Sequence, residues 1–159
     1  KRHVIGVDIN IREHNRTAVE NHPLSNRITM IEGSSISNTT LNKIKDAIGD
    51  AKRVMIFLDS NHTHEHVLNE LRLYAPLISK DSYIVVFDTV VDDIPESLVG
   101  DRPWGPKNNP KTALFEYLKE IEDTNICAED GSVLKLQIDH EIENKLLISV
   151  APSGYLKRT

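Results

Sequence analysis

Val54-Met55-Ile56-Phe57-Leu58-Asp59-Ser60-Asn61-His62 is an apolar run of strand length that stops at an acid, two small polar residues and a histidine. Unbroken apolar runs suit strands buried on both faces, as in a parallel sheet covered by helices. Ligands of such sheets sit beyond the carboxyl ends of the strands. The pattern recurs: His3-Val4-Ile5-Gly6-Val7 runs into Asp8, and Tyr83-Ile84-Val85-Val86-Phe87 runs into Asp88. Three strands are therefore expected to deliver carboxylates to one rim.

The 159 residues suit a single domain, 1–159, with a sizeable core. A hydrophobic fraction of 39% and a charged fraction of 27% are ordinary for a globular chain. The formal net charge of -5 argues against nucleic acid as the main partner, because a phosphate backbone calls for a basic face. Cys127 is the single cysteine, so no internal disulfide forms and a reducing, cytoplasmic location is expected. No apolar run reaches the roughly 20 residues that cross a bilayer.

Strands are read at 3–8, 27–32, 53–58 and 82–87. Helices are read at 11–21, from Ser37 or Asn38 to Gly49, at 62–74 and from the cap Asn109 onward. Their buried stripes are Leu41, Ile44 and Ile48, then Val67, Leu71 and Tyr74, then Ala113, Leu114, Tyr117, Leu118 and Ile121. The irregular segment 89–109 is long for a connection inside a domain, and it holds the only Trp. Asp130-Gly131 signals a hairpin, 133–139 alternates, and 145–150 reads as one more apolar strand. This order predicts a doubly wound α/β fold, mostly parallel with an antiparallel edge.

More specific wording lies in Val4-Ile5-Gly6-Val7-Asp8-Ile9, Ile31-Glu32-Gly33-Ser34-Ser35, Leu58-Asp59-Ser60-Asn61-His62-Thr63-His64, Arg102-Pro103-Trp104-Gly105-Pro106 and the closing residues 144–157. These blocks resemble the cephalosporin hydroxylase / rhamnosyl O-methyltransferase family over nearly the whole chain, with 123–137 standing out as an insertion. The resemblance implies the class I methyltransferase fold, S-adenosylmethionine as cofactor and Mg2+ as a candidate metal. Asp8 matches the acid that accepts the cofactor's ribose hydroxyls, with Ile9 beside it, and Gly33, Ser34 and Ser35 match the turn that meets adenine. Asp59 and Asp88 match metal-binding acids, Thr89 their polar neighbour, and His62 the general base; Asp59 also borders the cofactor.

Two departures stand out. Phe87 occupies a position where the family carries Glu, which removes one oxygen ligand. The family's first strand and its glycine-rich loop, central in the sheet, are absent, so the 159 residues are expected to be the C-terminal part of a longer protein.

Each reading has a plainer rival. Strand-end acids also cap helices, and His62 can simply start the following helix. His62, His64 and His66 read as a solvated cluster rather than a zinc site, since no third ligand is evident. Trp104 and Arg102 either meet a sugar or flat substrate or fix the long loop. The expected activity is O-methylation of a saccharide, glycolipid or secondary metabolite. A nicotinamide-dependent oxidoreductase and a non-catalytic interaction module are the alternatives, and a homo-oligomer stays open because unpaired strand edges invite association.

Overall fold

Asp8 and Glu32 sit side by side at the ends of two parallel strands, β1 (Val4–Asp8) and β2 (Ile28–Glu32), paired from Val4↔Ile28 to Asp8↔Glu32. The computed structural model describes residues 2–159, and in it the chain divides into two units, residues 1–51 and 52–159. In the first unit the strands alternate with α1 (Glu13–Glu20) and α2 (Asn38–Ile48). Ser37 caps α2 by accepting from the Thr40 amide at 3.1 Å, and Gly49 ends it, as the sequence predicts. Ile31 and Ile44 are buried. Every residue of β1, however, is exposed or half-buried, because among the described residues it pairs with β2 alone.

The second unit holds β3 (Ile56–Leu58), α3 (His64–Tyr74), β4 (Tyr83–Val86), α4 (Pro110–Asp123), β5 (Leu136–Ile138), α5 (His140–Glu143) and β6 (Tyr155–Arg158). Its sheet runs β3-β4-β6-β5, with β3 parallel to β4 and the other pairs antiparallel. The expected parallel strands and antiparallel edge are thus present, divided between two sheets. Helices α3 and α4 pack together, and Val67, Leu71 and Tyr74 on one and Ala113, Leu114, Tyr117 and Ile121 on the other are buried. Leu71, Ile84, Leu114 and Leu156 are fully buried; such side chains each stabilise by about 1.5–3 kcal/mol.

Two expectations need correction. Strand 53–58 shrinks to Ile56–Leu58 and is not buried on both faces: Met55 and Phe57 are exposed, since β3 is an edge strand. Segment 145–150 is not a strand; Leu147 is 98% and Ile148 86% exposed. The strand forms instead at Tyr155–Arg158, whose alternation buries Leu156 and Arg158. Segment 123–137, read as an insertion, is packed against the rest of the second unit. Its hairpin buries Ala128 and Leu134, and the Arg158 guanidinium, 3% exposed, donates to Asp130 at 2.7 Å and to the Ile78 carbonyl. Among the described residues no helix is long and apolar enough to cross a membrane.

Candidate functional site

The Phe87 amide donates to the Leu58 carbonyl at 3.0 Å, so β3 and β4 end level with one another and release Asp59 and Asp88 as neighbours. Asp88 then adopts left-handed backbone (φ 53°), a conformation that Asp tolerates better than most residues, and the chain turns into a 3-10 segment, Thr89–Asp93. On the other strand, Asn61 Oδ1 accepts from the Thr63 amide at 3.0 Å and starts α3.

His62 lies between the two acids. Its Nε2 is 2.8 Å from Asp88 Oδ2 and 3.6 Å from Asp59 Oδ1. That nitrogen is sealed from solvent and makes no aligned hydrogen bond to either acid. Among the described residues Asp59, His62 and Asp88 are the one group that could hold a metal ion, their donor atoms all within 4.8 Å of one another. Two carboxylates with one imidazole suit a divalent cation.

Trp104 stands against the imidazole, ring centroids 5.4 Å apart and planes at 84°. The Arg102 guanidinium lies 5.0 Å from the Trp104 centroid and donates to the Val99 carbonyl at 2.9 Å. These two residues, expected to meet substrate, are thus tied to the site's own wall. Asn109 secures the loop behind them, donating to Asp92 and to the Gly105 carbonyl, and its Oδ1 caps α4. The Lys107 amide and the Asn109 side chain hold the Asp92 carboxyl below its ordinary value.

The other expected residues are distributed otherwise. Thr89 is fully buried and spends its hydroxyl on the Pro152 carbonyl at 2.7 Å, so it faces the core rather than the cluster. His64 bonds Thr112 and Glu116, whereas His66 approaches Glu70; the three neighbouring histidines share no ligand position. Asp8, Ile9, Gly33, Ser34 and Ser35 belong to the first unit. There Asp8 Oδ1 accepts from the Asn10 amide at 2.9 Å, the Gly33 amide donates to the Asp8 carbonyl, and Ile9 is exposed. A side chain at Gly33 (φ 153°) would come within 2.6 Å of Thr40 Oγ1, which requires glycine there.

Sequence reasoning gives no role to Glu32, Ser60 or Glu70. Glu32 accepts from the Ile11 amide and from Arg16, bracing the segment after Asp8. Its place at a strand end beside Gly33 is a signal that could have been read. Glu70 carries none, because a Glu on an amphipathic helix reads as solvated.

A family model described as Rhamnosyl O-methyltransferase/CmcI matches residues 1–159. Rhamnosyl O-methyltransferases of Mycobacterium tuberculosis (strain H37Rv) and Mycobacterium bovis (strain AF2122/97) are 34% identical over 106 residues, 67% of this chain and 36% of theirs. The chain therefore matches little more than a third of the length of these curated relatives. Among solved structures, the MycE methyltransferase from the mycinamycin biosynthetic pathway, in complex with Mg and SAH, aligns with 98% of this chain and 37% of that one. The TM-score is 0.55 at 15% identity. Its complex with Mg, SAH and mycinamycin VI gives 0.52 at 19% identity, over 87% of this chain and 34% of that one. At these identities the likeness shows the fold, that of a methyltransferase. The chain belongs to the rhamnosyl O-methyltransferase/CmcI family.

Proposed function

We propose that this chain serves S-adenosylmethionine-dependent O-methylation of a hydroxyl on a saccharide, glycolipid or other secondary metabolite, assisted by a divalent cation. The observation that carries the reading is the convergence of Asp59, His62 and Asp88 at the ends of two parallel strands. Family membership supplies the reaction class.

Bound S-adenosylmethionine supplies the electrophilic methyl, and a bound Mg2+ supplies positive charge that favours the alkoxide form of an acceptor hydroxyl. Asp59 and Asp88 are the ligands for that cation. His62 is the base for the hydroxyl proton, and Asp88, 2.8 Å from its Nε2, stabilises the imidazolium that results. Trp104 keeps water from one side of the ring, and Arg102 and Trp104 border the acceptor. In the first unit Asp8 Oδ2 is the acceptor for ribose hydroxyls, while Oδ1 is already engaged by Asn10. Ile9, Gly33, Ser34 and Ser35 line the same nucleoside site.

Calorimetry with S-adenosylhomocysteine and with NAD tests this. Binding of the first, lost in Asp8→Ala, supports methyl transfer. Binding of NAD alone would make the protein an oxidoreductase, and binding of neither would leave a non-catalytic module.

A further inference from the structure

Glu70, in the middle of α3, is 2% exposed. It lies on the helix face whose other buried members are Val67, Leu68, Leu71 and Tyr74. A carboxylate in such surroundings is costly unless it is paired and fully hydrogen-bonded. Here it is neither. Among the described residues no Lys or Arg pairs with it; His66 Nε2 approaches Oε1 at 3.4 Å. The Ser60 hydroxyl donates to the same Oε1 at 2.7 Å, while Oε2 is sealed from solvent with no partner. Leu or Met would fill this position at lower cost, so packing does not account for it.

Ser60 gives the reason. It stands inside the turn that runs from Asp59 to His62, the two residues that must meet Asp88 across the strand ends. The turn is fixed at its start, where the Leu58 carbonyl accepts from Phe87, and at its end, where Asn61 accepts from Thr63. Between those points its anchor into the core is the short bond, 2.7 Å, from the Ser60 hydroxyl to Glu70 Oε1.

We infer that Glu70 is a positioning residue: through Ser60 it sets the turn that brings Asp59 and His62 to Asp88. The inference rests on the reading of those three as a cation-binding reaction centre. Such partners behind a metal site orient its ligands without touching the ion.

The test uses Mn2+ alone, thermal melting and amide hydrogen exchange on the wild type, Glu70→Met, Glu70→Gln and Ser60→Ala. Glu70→Met removes a buried charge and keeps the volume, so its melting temperature stays level or rises. Its Mn2+ affinity falls by about tenfold or more, and the amides of 59–62 exchange faster. Ser60→Ala gives the same loss without touching the core. Glu70→Gln keeps an acceptor for Ser60 and retains most of the affinity. A lower melting temperature with unchanged Mn2+ affinity and unchanged exchange in Glu70→Met and Ser60→Ala would overturn the inference. If the wild type binds no Mn2+, the cation reading fails by itself. Exchange at 59–62 then decides the role of Glu70: faster in both variants upholds it, and unchanged in both refutes it.

Discussion

His62 Nε2 lies 2.8 Å from Asp88 Oδ2 without an aligned hydrogen bond between them. With Asp59 Oδ1 3.6 Å from the same nitrogen, the three donor groups all lie within 4.8 Å of one another, so a cation held by Asp59 and Asp88 would lie beside the imidazole. Asp59→Asn and Asp88→Asn should each weaken Mn2+ binding by about tenfold or more, as read by the paramagnetic signal of free Mn2+. A chelator should abolish methyl transfer and readdition restore it. Unchanged Mn2+ binding in both variants would remove the metal from the scheme.

Trp104 packs on His62 and carries Arg102 at its other contact, which makes it a wall as much as a platform. Trp104→Ala frees the imidazole, and kcat should drop by about tenfold, within the range that general-base catalysis supplies. Trp104→Phe, which still presents an aromatic ring, should lose far less. A variant that raises KM alone would return Trp104 to a purely substrate-binding role.

Asn109 joins the start of α4 to Asp92 and Gly105, so its loss removes a cap and leaves a partner unpaired. Asn109→Ala should cost about 2 kcal/mol or more in denaturant unfolding. Asp92 has a folded-state value lowered from 3.8, first by the Lys107 amide and then by Asn109. A lowered carboxyl stabilises above its unfolded value and loses that contribution as pH falls through the folded one. The penalty of Asn109→Ala should accordingly shrink as the solution is acidified below about pH 4.

Asp59 and Asp88 were legible because an apolar run ending in an acid is a local pattern that needs no knowledge of neighbours. How many strands flank a run is not local. Phe57 therefore read as buried and proves exposed on an edge strand. The same limit hides Glu70, whose partner is ten residues away, and the separate acid partners of His64 and His66. Hydropathy favours 145–150 as the last strand. What decides the matter is pairing: Tyr155, Leu156 and Lys157 bond to β4, and Arg158 finds its partners beyond it.

Gly154 explains where that last strand starts. A Cβ there would sit 2.2 Å from the Val86 carbonyl, whereas the Val86 amide donates to the Gly154 carbonyl at 2.9 Å. Gly154→Ala forces β6 away from β4 and should destabilise the protein by about 2 kcal/mol or more. Gly6 has open space around its Cβ position, so Gly6→Ala is the control expected to show little change in melting temperature.

Tyr83 and Asp139 give a second reading by pH. The phenol donates to Asp139 Oδ2 at 2.7 Å, and that bond, with burial and the neighbouring acids, pushes Tyr83 up to about 12. A raised group stabilises fully below its unfolded value, near 10, and loses the contribution as pH climbs through the folded one. Asp139 is lowered by the same bond, so on the acid side the contribution fades as pH falls below the ordinary carboxylate value of 3.8. The difference in melting temperature between wild type and Tyr83→Phe should therefore be flat from about pH 5 to 9 and close as pH approaches 12. Because Asp139 also caps α5, Asp139→Ala, which removes both the cap and the acceptor, should cost more than Tyr83→Phe at neutral pH. Equal penalties would mean that the hydrogen bond, not the cap, is what Asp139 contributes.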